Sequence, residues 1–346
     1  MSTHKLQSRL TRSQQGFSLV EMMIAITIGF IIVGAIGYLY LGSRQSFRST
    51  DAISRIQENA RYALQTMAHD VRMAGYVGCG NLQSGGLKVT TIANGAPIMN
   101  ATNAFLGFDS GAGAASYGGI TRPAGDVIQV FAAFGGGVNL TGNLDPSNTN
   151  AQVGPGNPYG FKQGDVLTVT NCINADIFKV SNVPGSSGTV TLTYGSGSNS
   201  SNRVSGTYGP DAFVMKTDQY TYFIGTNPSG GRSLYRSTLN DGTVELADNV
   251  WDMQVVYGYD SNGSTIDTAD IYYSAGNVPD WTRVVSARIS LLMVSAENVL
   301  SGPQTYQYFG NTATSLSAIT PAAAAVDRLR LHQVFTTTVG LRNRLP

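Results

Sequence analysis

The chain has 346 residues, a formal net charge of +1 and only 12% charged residues, with 41 glycines and 2 cysteines. A balance so close to neutral excludes a strong field aimed at nucleic acid or acidic substrates, and the length allows one large domain or two small ones. Low charge with abundant Gly, Ser, Thr and Asn suits a loop-rich extracellular β protein better than a cytosolic enzyme, and alternating apolar runs argue against disorder.

Residues 1–16 are polar and basic, with Lys5, Arg9 and Arg12 and no acid. From Phe17 to Leu41 only Ser18, Glu21 and Thr27 are polar. That run can cross a bilayer core of roughly 30 Å as one helix, and the basic lead keeps its N-terminal end in the cytoplasm. A secretory signal peptide would have a shorter apolar run with a small-x-small site behind it. Here the run leads straight into a helical pattern. Glu21 is the residue that a plain anchor leaves unexplained. A carboxylate in lipid costs up to a few kcal/mol, no compensating gain is visible within the chain, and a positively charged partner is needed.

After Leu41, the apolar residues Phe47, Ile53, Ile56, Ala60, Ala63, Leu64, Met67 and Val71 recur mainly three and four apart. That spacing predicts an amphipathic helix, with Asp51, Arg55, Glu58, Arg61 and Arg72 on its other faces. No proline interrupts residues 17–74, so one helix of about 55–60 residues, roughly 85 Å long, is expected. Gly75 and Gly78 close it. Gly29, Gly34, Gly37 and Gly42 would each cost about 1 kcal/mol relative to alanine in water. In a bundle they permit close helix approach.

Residues 80–125 read as loops with short strands, and 135–160 as turn-rich, with Pro146, Pro155 and Pro158. Strands are predicted at 126–134, 165–171, 177–180, 189–194, 220–224, 250–259, 284–295 and 333–341. With no second long helix, the pattern predicts an α+β fold in which an antiparallel sheet packs on one helix.

A catalytic constellation is not found. Beyond His4 the histidines are His69 and His332, both read as surface or interface residues. There is no H-E-x-x-H, C-x-x-C or G-x-S-x-G. Gly111-x-Gly113 is loop composition, and Asp260-Ser261-Asn262-Gly263 reads as a β-turn. Arg328, Arg330, Arg342 and Arg344 lack the aromatic interleaving of a nucleic-acid patch and read as solvated charges or a subunit contact. Trp251 and Trp281 read as core or interface packing. No catalytic, cofactor or metal residue is assigned.

Gly16-Phe17-Ser18-Leu19-Val20-Glu21 resembles the class III signal of type IV pilins and type II secretion pseudopilins. The resemblance implies a prepilin peptidase cut between Gly16 and Phe17, N-methylation of Phe17, and a mature chain beginning there. It makes Glu21 the fifth mature residue, which meets the N-terminal amine of a neighbouring subunit and sets axial register. Two buried opposite charges offset each other's desolvation only once the partner is in place.

Further stretches are similar to the PilW family of minor pilins. They are Met73-Ala74-Gly75-Tyr76-Val77-Gly78-Cys79, Gly164-Asp165-Val166-Leu167, Asn171-Cys172, Ala175-Asp176-Ile177-Phe178 and Met253-Gln254-Val255-Val256-Tyr257-Gly258. Arg288-Ile289-Ser290-Leu291-Leu292, Val334-Phe335-Thr336-Thr337-Thr338-Val339 and Leu341-Arg342-Asn343 extend the likeness almost to the last residue. The implied fold is type IV pilin-like: a leader at 1–16, a transmembrane or filament-core half-helix at 17–41, an amphipathic half at 42–74, and a β-rich periplasmic head at 75–346 with Gly/Ser-rich loops.

The implied function is that of a minor pilin in a tip or priming complex that initiates type IV pilus assembly. Its implied partners are the prepilin peptidase, other minor pilins, the major pilin, a PilY-type tip adhesin and, before assembly, inner-membrane lipid. No nucleic acid is expected. The implied location is the inner membrane and then the pilus fibre. A minor pseudopilin of type II secretion is the alternative, with an uncleaved membrane-anchored β domain behind it. On this reading Cys79 and Cys172 face an oxidising compartment, where a disulfide persists. Closing a loop of about 90 residues would contribute up to ~4–5 kcal/mol, and two free buried thiols are the alternative.

Overall fold

The computed structural model describes residues 16, 18–83, 85–123, 125–262, 268–300, 302 and 329–344. Residues 1–15, Phe17, Gly263 and Arg328, each carrying an expectation above, lie outside the described residues. Helix α1 runs Leu19–Arg72. It is followed by β1 (Lys88–Thr91), β2 (Phe105–Phe108), β3 (Ser116–Tyr117), β4 (Ile120–Thr121), β5 (Val127–Asn139), β6 (Asn150–Val153), β7 (Val166–Thr170) and β8 (Asn174–Lys179). Then come β9 (Val190–Thr193), β10 (Phe213–Thr226), β11 (Arg232–Ser237), β12 (Thr243–Asp248), β13 (Val250–Tyr259), β14 (Ile271–Tyr273), β15 (Val284–Asn298) and β16 (Arg330–Gly340).

The chain divides within α1 into two compact units, one ending at Asp51 and one beginning at Ala52. In the first, none of the described residues is buried. In the second, α1 turns Ile56, Ala60, Ala63, Met67, Ala68 and Val71 into the largest apolar core, shared with Val130, Tyr222, Met253, Tyr257, Ile289, Leu291 and Val339. Alanines on the buried stripe let the helix axis lie close to the strands. Gly75, at φ +74°, ends the helix in the left-handed region that glycine adopts without penalty. Its N–H donates to the Phe131 carbonyl at 3.0 Å. The helix-end carbonyls of Met73 and Ala74 accept from Asn343 Nδ2 at 3.3 and 3.2 Å.

Among the described residues two main sheets carry the second unit, beside the two-stranded pairs β3–β4 and β6–β9. The larger has the order β1-β8-β7-β10-β11-β12, with β5 on the other edge of β10 and β2 beyond it. Strand β10 is its spine: β5 pairs along one edge, while β7 and then β11 share the other. The smaller sheet has the order β14-β13-β15-β16. Pairing is antiparallel throughout the described strands except for β1 with β8. The sheets are joined at Asp126. Its N–H donates to the Met253 carbonyl at 2.8 Å, and its carboxylate accepts from Val255 N–H at 2.8 Å and Ser110 N–H at 2.9 Å. Gly107 permits close packing at this joint, because a Cβ there would sit 1.9 Å from the Tyr257 hydroxyl.

Strand β5 continues through Gly135–Gly137 to Asn139, where turns were expected, and β10 begins at Phe213 rather than near 220. The ladders from β5 and β7 hold these stretches extended. Gly137 suits the strand because a Cβ there would meet the Phe213 ring at 2.7 Å. Cys79, after the helix, is bonded to Cys172 at the β7–β8 turn, 93 residues away in sequence.

Candidate assembly interface

The N-terminal end of α1 is built by two side chains. Ser18 Oγ accepts from Val20 N–H at 3.3 Å, and Glu21 Oε2 accepts from Ser18 N–H at 3.0 Å. This reciprocal pair is a capping box, which satisfies helix-end donors that would otherwise lack partners, and an acid here also favours the helix dipole. Glu21 therefore does gain something within its own chain, contrary to the expectation above. Gly16 is exposed, and Phe17 lies outside the described residues. Past the cap, Leu19, Met22, Ile26, Phe30, Val33 and Tyr40 are each more than half exposed. The stretch is long and apolar enough to cross a membrane.

The other end of α1 is pinned by a buried acid. Asp70 Oδ2 accepts from the Tyr222 hydroxyl and, at 3.3 Å, from Arg236 Nη1. Arg236 lies over the Tyr220 ring at 4.6 Å, and Tyr220 stacks on Phe134 at 4.0 Å. Burial and the adjacent Asp70 charge push the Tyr222 hydroxyl well above its ordinary range, so it stays a donor. A carboxylate near a helix C-terminus is unfavourable, and Arg236 offsets it.

At the joint between the sheets, burial raises the Asp126 carboxyl to about 7, with Asp109 and Asp252 adding like charge. Burial likewise raises Asp218 to about 6.

His69 is exposed, with Nδ1 2.9 Å from Asp70 Oδ1. His332 is not a surface residue: it is 2% exposed and edge-on to Trp251 at 6.4 Å. Its place on β16 puts it in the sheet. Arg344 is not solvated either. It is buried and donates to the carbonyls of Trp281, Val284 and, at 2.6 Å, Ala101. Burial lowers its pKa to about 10, with the Asp280 charge opposing the shift, which leaves it charged at neutral pH. Arg330 donates to the Ser295 carbonyl and to Asn249 Oδ1 at 3.1 Å, and Arg342 is exposed. Trp281 packs on Phe105 and Tyr257 in the core. Among the described residues no group of three His, Cys, Asp or Glu side chains is placed to hold a metal ion.

Two family models match the chain. The prokaryotic N-terminal methylation motif covers residues 11–37, and type IV pilus-assembly protein W (PilW) covers 221–343, from β10 through β16. No curated protein matches. Among solved structures, a type IV-like pilin from Thermus thermophilus is 10% identical, with a TM-score of 0.35 over 86% of this chain and 98% of that one.

The methylation motif overlaps the start of the long apolar helix α1, and a β head follows that helix. Over residues 221–343, about a third of the chain, it is similar to PilW, the type IV pilus-assembly protein W family. The motif lies on a helix long and apolar enough to cross a membrane.

Proposed function

We propose that this chain is a PilW-type minor pilin that takes part in initiating type IV pilus assembly as a member of a tip or priming complex. Prepilin peptidase cuts between Gly16 and Phe17, and Phe17 is then methylated. The apolar half of α1 sits in the inner membrane with its N-terminus cytoplasmic and the head periplasmic, and later packs among other helices in the fibre. Glu21 then pairs with the Phe17 amine of a neighbour. A PilY-type adhesin and other minor pilins dock on the head.

The observation that carries this reading is the contrast along α1. The segment beside the methylation motif buries none of its described residues, and an apolar surface of that extent needs lipid or other helices to cover it. The capping role of Glu21 adds a test. Glutamine keeps a capping-box acceptor but removes the charge. Glu21→Gln should therefore fold normally and lose piliation, whereas normal piliation would overturn the charge-pairing role. N-terminal sequencing should begin at methylated Phe17, and a start at Met1 would leave an uncleaved anchor. The PilW match favours the pilus over type II secretion. A deletion strain should lose twitching motility, and loss of exoprotein secretion instead would reassign the chain to the pseudopilins.

A further inference from the structure

Strands at sheet edges present unpaired backbone groups, and proteins protect them by shortness, charge, proline or bulges. The terminal strands of the two main sheets differ sharply in this respect. Strands β1 and β2 have 4 residues each, β14 has 3 and β12 has 6. Strand β12 also carries Glu245 and Asp248, and its pairing with β11 is broken by a bulge. Strand β16 has 11 residues, and from Leu331 to Gly340 it contains no proline, lysine or acid. Its register with β15 is unbroken from Val294↔His332 to Ser286↔Gly340.

Hydrogen bonds fix which backbone groups face outward. Leu341 N–H donates to the Val285 carbonyl, and Leu331 N–H donates to Ser295 Oγ, both at 2.8 Å. Odd-numbered residues thus address β15, and antiparallel alternation turns the N–H and C=O of Val334, Thr336, Thr338 and Gly340 to the other edge. Thr336, Thr338 and Gly340 are exposed, and among the described residues no strand pairs there.

Beside that edge runs a groove of about 380 Å³ between β16 and α1, lined by Arg61, Leu64, Gln65, Ala68, Arg72, Thr336 and Thr337. Its lining contains two cations and no acid. Neither Arg61 nor Arg72 makes an ion pair among the described residues. Exposed Arg342 follows directly after the strand.

We infer that the open edge of β16 accepts an extended acidic segment of a partner protein, which joins the smaller sheet as a strand beside β16. Main-chain hydrogen bonds to Val334, Thr336 and Thr338 hold it, and alternate carboxylates face Arg61 and Arg72. This is strand addition, in which backbone pairing supplies affinity and side chains on one face supply selection. It stands on the edge geometry and does not depend on the pilus reading.

The test uses the full chain in detergent micelles and a fluorescent peptide alternating valine with glutamate, beside its valine–lysine counterpart. The glutamate peptide should bind and slow amide exchange at Thr336 and Thr338, and the lysine peptide should not. Thr338→Pro removes an outward N–H and leaves the β15 ladder intact, a position where an edge strand tolerates proline. It should weaken binding by about tenfold or more without changing the melting temperature. Arg61→Glu with Arg72→Glu should reverse the peptide preference. Failure of the glutamate peptide to bind, or equal binding to Thr338→Pro, would overturn the inference. So would Thr338-dependent self-association without peptide binding, because the occupant would then be a second copy.

Discussion

Up to Asp51, α1 buries none of its described residues; from Ala52 the same helix buries Ile56, Ala60, Ala63, Met67, Ala68, Asp70 and Val71. One unbroken helix therefore serves two solvents. The later part of the helix satisfies its apolar face and its buried acid, Asp70, from the strands of the second region. The first region leaves its apolar side chains exposed, to be covered by something outside the chain. Stability and assembly should accordingly separate: changes in the second region should be read by unfolding, and changes in the first by piliation.

The largest expected effect on unfolding comes from the Cys79–Cys172 bond. Replacing both with serine opens a 93-residue constraint and should lower stability of the second region by ~2–5 kcal/mol in urea denaturation. Next is Asp70→Ala, which strands the Tyr222 hydroxyl and Arg236 and should cost about 2–3 kcal/mol by the same measurement. Tyr222→Phe removes one hydrogen bond and should cost about 1 kcal/mol.

A comparable effect follows from pH. Asp126 and Asp218 have folded-state pKa values of about 7 and about 6, raised above the unfolded value of 3.8. The folded state holds protons that the unfolded state has released. Stability from these groups is therefore present at low pH and lost as pH rises through 6 and then 7. From about pH 5 to about pH 8 the loss should be on the order of 4 kcal/mol, roughly two-thirds of it from Asp126. Asp126→Asn should flatten most of that slope, and an unchanged slope would show that Asp126 does not titrate there. The smallest effect on unfolding belongs to Glu21→Gln, within about 0.5 kcal/mol, although it should have the largest effect on piliation. A large unfolding effect there would break the separation of the two regions.

Much of this architecture was legible in the residues. The proline-free run, its three-and-four spacing and the glycine that ends it define α1 to within a few residues. Strands β13, β15 and β16 announced themselves by long apolar alternation. The Ser18-x-x-Glu21 spacing is a capping-box signature, but a lone acid in an apolar run points equally to a partner outside the chain.

Other features were not legible because partners distant in sequence decide them. Three glycines became strand at 135–137 only through β10. Strands β11 and β12 lie in segments too polar to announce themselves. Arg344 reads as a surface charge until Ala101, Trp281 and Val284 supply carbonyls around it. Asp126 is a joint only because β5 and β13 meet there. The unprotected edge of β16 depended on sheet order, which local alternation does not specify.

The contacts of residues 330–344 carry a consequence for biogenesis. These residues supply the outer strand of the smaller sheet, the amide that seals the end of α1 and the guanidinium that clamps the loop at Ala101. All three meet segments synthesised long before them. Such non-local closure makes folding slow, and the nascent head must wait with its interior open until this stretch arrives. Polypeptides released early would carry an unsealed core, and quality-control proteases could recognise them by it.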